Sequence, residues 1–441
     1  MNRSRRLWKM LAGTAAAGGL LFVLTGASWA QLGGLGGGIL QGLPGTINNT
    51  TNDLGRKVTT TTDDLGRTAN STLDTVKRDA IGRRVAPQQL DRDPLGARIV
   101  RGEILAVSPS AAGLAAAKQL DFEVLRSEPL ADLGLTAVAL RIPHGMSASD
   151  ALAALKKADP QGSYDYDHLY DPSGANAVVA APAAAMSLPN ATAARIGMID
   201  GGIAVRHPAF ADAKILAKNV VGSGNGPPTA HGTAVASLLV GEAGDFHGYL
   251  PGATLYAADA FGGETIGGGA IDIVRALDWL AANRVAVTNI SLAGPPNALL
   301  QAGVRAFLAR GHVLVAAVGN AGPAAPPAYP ASYPGVIAVT SVDMERRVQI
   351  DAGRGEVTFA ALGVDVRAAS VRGYAKVTGT SFAAPAVAAR FALLMPQPDV
   401  YAAQRATAML EHAALPLGTA PRDPATGYGY LAAPSVAVAG R

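Results

Sequence analysis

From Ile99 to Tyr170 the apolar positions switch between the two-residue period of strands and the longer period of helices. "RIVRGEILAVS", "FEVLRSEPL", "TAVALRIP" and "YDYDHLY" read as strands, while "SAAGLAAAKQL" and "SASDALAALKKAD" read as helices. Ser147 and Asp150 are spaced as a capping box, with aspartate in place of the usual glutamate. The order βαββαβ describes a small α+β, ferredoxin-like unit over residues 99–172. No polar constellation converges in it, and His144 and His168 read as surface or packing residues.

Residues 173–189 are small, proline-punctuated and nearly uncharged, the texture of a linker. Beyond them, over 190–441, short and almost wholly apolar runs such as Ile196–Ile199 and His312–Val318 alternate with helical patterns. Strands with no polar face must be covered on both sides. The expected fold there is α/β, a mostly parallel, doubly wound sheet.

The N-terminal stretch has a different pattern. Arg3, Arg5, Arg6 and Lys9 precede an apolar run from Met10 to Thr25, and Ser28-Trp29-Ala30 supplies small residues where a signal peptidase reads. Residues 1–30 therefore read as an export signal, which predicts a periplasmic or extracellular protein whose membrane contact is that segment alone. Residues 31–98 form a Gly- and Thr-rich spacer with a weak eleven-residue echo, "NDLGRKVTTTT" and "DDLGRTANSTL".

Composition narrows the chemistry. The 441 residues carry a net charge of only +4 and contain 0 cysteines. Disulfides, thiol catalysis and cysteine-based metal sites are excluded. The scattered basic residues leave no nucleic-acid footprint.

Four polar residues stand at element ends in the last region. Asp200 closes the run "RIGMID", where the carboxyl end of a parallel strand faces ligand space. Asp before Gly-Gly is also an ordinary turn. His231 opens a helix that ends near Gly241, and Val235, Leu238 and Leu239 supply its core-facing positions. Asn320 follows the run ending at Val318 and offers an uncharged NH₂ donor, or simply a turn. Ser381 opens a small-residue helix with Pro385 around its first turn, so it is either a cap or a nucleophile beside free backbone N–H groups. Taken together, an acid, a base, an oxyanion donor and a hydroxyl complete the set that nucleophilic acyl transfer requires.

"HGTAVAS" at His231, "GTSFAAPAVAA" at Ser381, "VGNAG" at Asn320, "YPASYPGVIAVTSVD", "NISLAGP" and "GYGYLAA" resemble the motifs of the subtilisin-like serine peptidases over roughly 190–435. The resemblance implies a serine endopeptidase acting on protein or peptide substrates, with catalytic Asp200, His231 and Ser381 and Asn320 as oxyanion donor. It implies a cleft lined by Ser291, Leu292, Ala293 and Gly294 and by Ala316, Ala317 and Val318. One departure is Gly201, where the family usually carries Ser or Thr. The unit at 99–172 resembles the inhibitory prodomains of subtilases, which implies a self-processed zymogen whose own prodomain occupies the cleft and is cut in the linker. No cofactor is expected. Asp259, Asp272 and Asp278 read as solvated charges or caps, and the pattern neither requires nor forbids a structural calcium held by backbone carbonyls. The rival reading is a latent or non-catalytic binding protein on the same fold.

Overall fold

The computed structural model describes residues 90–173, 175–177, 193–222, 226–262, 268–418 and 422–434. The export signal, nearly all of the spacer and most of the linker lie outside the described residues.

The first part contains β1 (Leu90–Arg92), β2 (Arg98–Val107), α1 (Ala111–Gln119), β3 (Glu123–Leu130), β4 (Leu135–Arg141), α2 (Ala148–Ala158) and β5 (Ser163–Pro172). Its strands are antiparallel in the order β5-β2-β4-β3, the ferredoxin-like arrangement that the apolar periods predict. Ser110 caps α1 by accepting from Gly113 N, and Ser147 caps α2 by accepting from Asp150 N at 3.1 Å. The Ser147 hydroxyl also donates to the Asp150 carboxylate at 2.7 Å, so the aspartate engages the cap through the serine hydroxyl, and only the serine half of the expected capping box is seen. Ile104, Leu140, Leu152 and Leu155 fill the core between this sheet and its two helices.

The larger part continues with β6 (Ala175–Ala177), β7 (Arg195–Asp200), β8 (Lys214–Asn219), α3 (Ala230–Val240), β9 (Glu242–Ala243), β10 (Phe246–His247) and β11 (Thr254–Asp259). Then come β12 (Gly268–Gly269), α4 (Ala270–Ala282), β13 (Val287–Ile290), β14 (Leu292–Ala293), α5 (Ala298–Ala309), β15 (Val313–Ala317) and β16 (Ile337–Val342). The last elements are β17 (Phe359–Leu362), β18 (Val366–Ala369), β19 (Tyr374–Thr378), α6 (Thr380–Leu394) and α7 (Val400–Ala413).

Seven parallel strands form the central sheet, in the order β17-β16-β15-β13-β7-β11-β8. Alternate residues of one strand serve opposite cores. Val313, Val315 and Ala317 pack with α3 and α6, whereas Leu314, Ala316 and Val318 pack with α4 and α5. Both faces being buried explains why β15 carries no polar residue. The outer face of the small sheet, through Leu105, Leu130, Ala137 and Ala139, joins the core built on α4 and α5.

The chain departs from β7 in both directions: β11 and β8 lie to one side, β13, β15, β16 and β17 to the other. The carboxyl end of β7 is therefore the point where an open α/β sheet forms its ligand crevice. Asp200 is the last residue of that strand.

Candidate active site

Asp200 is fully buried, and its Oδ1 accepts from Gly201 N at 2.7 Å. The same oxygen lies 2.9 Å from His231 Nδ1. This contact assigns the proton to Nδ1, because a carboxylate offers only acceptors. His231 is the second residue of α3, whose start is fixed by Thr229 Oγ1 accepting from Gly232 N at 3.0 Å. Helix α3 and strand β7 meet closely: a Cβ built on Gly232 would lie 2.3 Å from Gly201 O. His231 Nε2 is buried without a protein partner. The ring packs against Phe382 at 5.3 Å between centroids.

Asn320 stands just past β15, after Gly319 at φ 92°, a left-handed turn suited to glycine. Its Oδ1 accepts from Thr380 N at 3.0 Å and from Gln349 Nε2 at 3.3 Å. Its Nδ2 is left without a partner.

Ser381 is the second residue of α6 and fully buried. Its hydroxyl donates to the carbonyl oxygens of Ser173 and, at 3.2 Å, of Ser291. Its backbone N–H donates to the same Ser173 oxygen at 3.0 Å. Ser173 N in turn donates to Ser291 O at 3.0 Å.

Ser173 arrives there because β5 runs between two edges of the larger part. On one side Leu292 pairs with Pro172 and Ala293 with Asp171; on the other Gly268 pairs with Tyr170 and Gly269 with Leu169. Tyr170 is fully buried and its hydroxyl donates to Pro295 O at 2.8 Å. Just beyond, β6 pairs antiparallel with β19, Ala175 facing Thr378. Strand pairing thus holds the chain on both sides of the Ser173–Gly174 bond.

A family model described as the subtilase family (Peptidase S8) matches residues 191–430. The chain belongs to the subtilase family. Subtilisin DY from Bacillus licheniformis is 33% identical over 237 residues, covering 51% of this chain and 84% of that protein. The minor extracellular protease Epr of Bacillus subtilis is 32% identical over 207 residues, and the match spans 46% of this chain but only 32% of Epr. Among solved structures, fervidolysin from Fervidobacterium pennivorans superposes with a TM-score of 0.64 at 19% identity, over 76% of this chain and 60% of fervidolysin. At that identity the likeness bears on the fold.

In this subtilase the sequence-derived residues Asp200, His231, Asn320 and Ser381 converge at the carboxyl edge of the sheet. Ser291, Leu292, Ala293 and Gly294 flank the added strand; Gly294 pairs with Tyr329 and packs against the Tyr170 ring. Ala316 and Ala317 belong to β15, Val318 follows it, and all three are buried in the central layer. They do not pair with β5. The second flanking edge is instead Gly268–Gly269, which the sequence reading missed because two glycines carry no apolar period.

Pro385 sits in the second turn of α6 rather than the first, because the helix begins at Thr380. Its missing N–H leaves the Ser381 carbonyl without an intrahelical donor. Ser291 Oγ fills the gap, donating to Ser381 O at 3.0 Å.

Gly201 has a physical reason. A Cβ there would lie 2.7 Å from Thr229 Cγ2 and Oγ1 and 2.8 Å from Phe261 Cδ2. The side chain the family usually carries has no room, and Asp200 Oδ2 remains without a partner.

Of the three aspartates expected as solvated charges or caps, all find protein partners, and Asp259 is a cap. Asp259 Oδ1 accepts from Phe261 N and Gly262 N inside a turn. The Asp272 side chain keeps 14% exposure and meets Arg275 at 2.5 Å, and Asp278 accepts from Leu133 N across the join to the small unit. His168 is buried at the same join, between Asp93 and Asn297. Among the described residues, no group of three or more His, Asp or Glu is arranged to hold a metal.

Proposed function

We propose that this subtilase is a serine endopeptidase made as a zymogen, and that its first substrate is its own Ser173–Gly174 bond. The observation that carries this reading is the Ser173 carbonyl, which receives the Ser381 N–H at 3.0 Å while the flanking strand runs between β12 and β14.

For reaction, the Ser381 hydroxyl turns its proton from the Ser173 and Ser291 carbonyls to His231 Nε2 and attacks the Ser173 carbonyl carbon. Asp200 holds the imidazole through Nδ1 and stabilises the imidazolium that forms. The carbonyl oxygen becomes an oxyanion between the Ser381 N–H and Asn320 Nδ2, which has no other partner. His231 then protonates the amine of Gly174, the peptide C–N bond breaks, and Ser173 is left as an ester on Ser381. Water, deprotonated by the same imidazole, releases the ester as a carboxylate.

The prodomain that is an intramolecular inhibitor before the cut stays docked after it as a separate fragment ending at Ser173, because β5 remains paired at both edges of the cleft. Protein and peptide substrates reach the site once that strand leaves, adding themselves as a strand in its place. Export to the periplasm or beyond is supported by the pattern of residues 1–30 and by the extracellular protease Epr among the relatives.

Intact mass and N-terminal sequencing of the wild type beside Ser381→Ala test the reading. The expected result is a new N-terminus at Gly174 in the wild type and an uncut Ser381→Ala chain. Two whole chains, with no cleavage of added peptides, would favour the non-catalytic alternative.

A further inference from the structure

A side-chain amide can face either way, and the orientation of Asn320 decides whether its buried, unpartnered NH₂ is free to meet an oxyanion. Two donors on Asn320 Oδ1 select that orientation: Thr380 N at 3.0 Å and Gln349 Nε2 at 3.3 Å. The sense of the Gln349 amide is itself set, since the hydroxyl of Ser341 donates to its Oε1. Ser341 is fully buried in β16, and Gln349 N also donates to Ser341 O at 2.9 Å. Turning Asn320 over would bring its NH₂ against two donors.

We infer that Gln349 is a positioning residue for the oxyanion donor, relaying the rigid β16 through Ser341 to Asn320. The inference rests on the reading of Asn320 proposed above. The loop that carries Gln349 does not depend on this side chain, because Gly353 N donates to Gly319 O at 2.8 Å and Gly322 N to Asp351 O at 2.9 Å. Deleting the amide therefore disturbs Asn320 while the backbone around it stays tied.

The test is steady-state cleavage of a quenched peptide copying residues 169–177 by the processed enzyme, in four forms: wild type, Gln349→Leu, Asn320→Ala and the double variant. Loss of the whole donor costs ~10²–10³ in rate, and loss of its positioning is expected to cost about tenfold in kcat with KM little changed. In the Asn320→Ala background the same Gln349→Leu change is expected to cost nothing further. Gln349→Glu, close in shape to glutamine, is expected to lose most at alkaline pH and to regain activity relative to wild type toward the acid limb, where a protonated carboxyl can again donate. An unchanged kcat, a rise in KM alone, or an equal loss in both backgrounds would overturn the relay. Failure of the underlying reading registers separately, as peptide cleavage that survives Ser381→Ala, and removes the relay with it.

Discussion

The backbone N–H of Ser381 meets the carbonyl oxygen of Ser173 at 3.0 Å, across a separation of 208 residues. That single bond sets the register of everything upstream, because Pro172, Asp171 and Tyr170 then fall opposite Leu292, Ala293 and Gly268. Tyr170 is the deepest anchor of this register. Tyr170→Phe removes one buried hydrogen bond, to Pro295 O, and is expected to cost about 1 kcal/mol. Tyr170→Ala leaves a large hole and is expected to cost about 3–5 kcal/mol of docking. Time courses of self-cleavage should rank wild type, Phe and Ala in that order, and equal rates for all three would refute the anchor.

Asn320→Ala is expected to lower kcat on added peptide by ~10²–10³ while KM moves little. Asn320→Asp is expected to be at least as damaging, since a carboxylate repels the developing oxyanion. Initial rates at saturating and limiting substrate separate the two parameters.

Gly201→Ser would supply the hydroxyl that related enzymes carry, yet Thr229 and Phe261 already fill its space. Overpacking of this kind costs about 1–3 kcal/mol, so a lower Tm and reduced activity are expected. A paired Thr229→Ser change is expected to recover part of the loss in a thermal melt.

Docking of the small unit is expected to weaken with rising pH. Burial, with the neighbouring charge of Asp272 adding to it, raises Asp167 from 3.8 to about 7 against the pull of Arg126. Burial likewise raises Asp272 to about 6 despite Arg275. Glu103 and Glu128 complete the cluster on the small unit, through Arg126 and Arg275. An acid whose docked pKa is raised takes up a proton on docking, so its contribution is full below its free value and gone above its docked one. The cleaved fragment should therefore co-elute with the enzyme at acidic pH and separate increasingly as pH climbs from about 4 to about 7, with little change above. Size-exclusion chromatography of the cut complex across that range checks the direction.

The chain announces its polar set because each member breaks an apolar run at an element end. Asp200 ends one buried strand and Asn320 stands just past another, and His231 and Ser381 open helices of small residues. What the pattern hides are contacts made by backbone or by distant packing. Gly268 and Gly269 act through main-chain bonds that leave no side-chain pattern in the sequence. Gln349 reaches Asn320 from a loop whose path no local period reveals. Asp272 looks like a solvated acid at the start of α4, and only docking of the small sheet buries it against Asp167.

Ser291 answers for two things at once. Its hydroxyl supplies the hydrogen bond that Pro385 withholds from the helix carrying Ser381, and its carbonyl takes the N–H of Ser173. A side-chain bond that completes the helix and a main-chain bond that receives the docked strand thus meet in one residue. A change of side chain at position 291 would leave the carbonyl contact in place and remove only the helix bond, while a Cβ on Gly268 would lie 2.5 Å from Ala260 O, so both walls grip the strand through backbone that side-chain change hardly reaches.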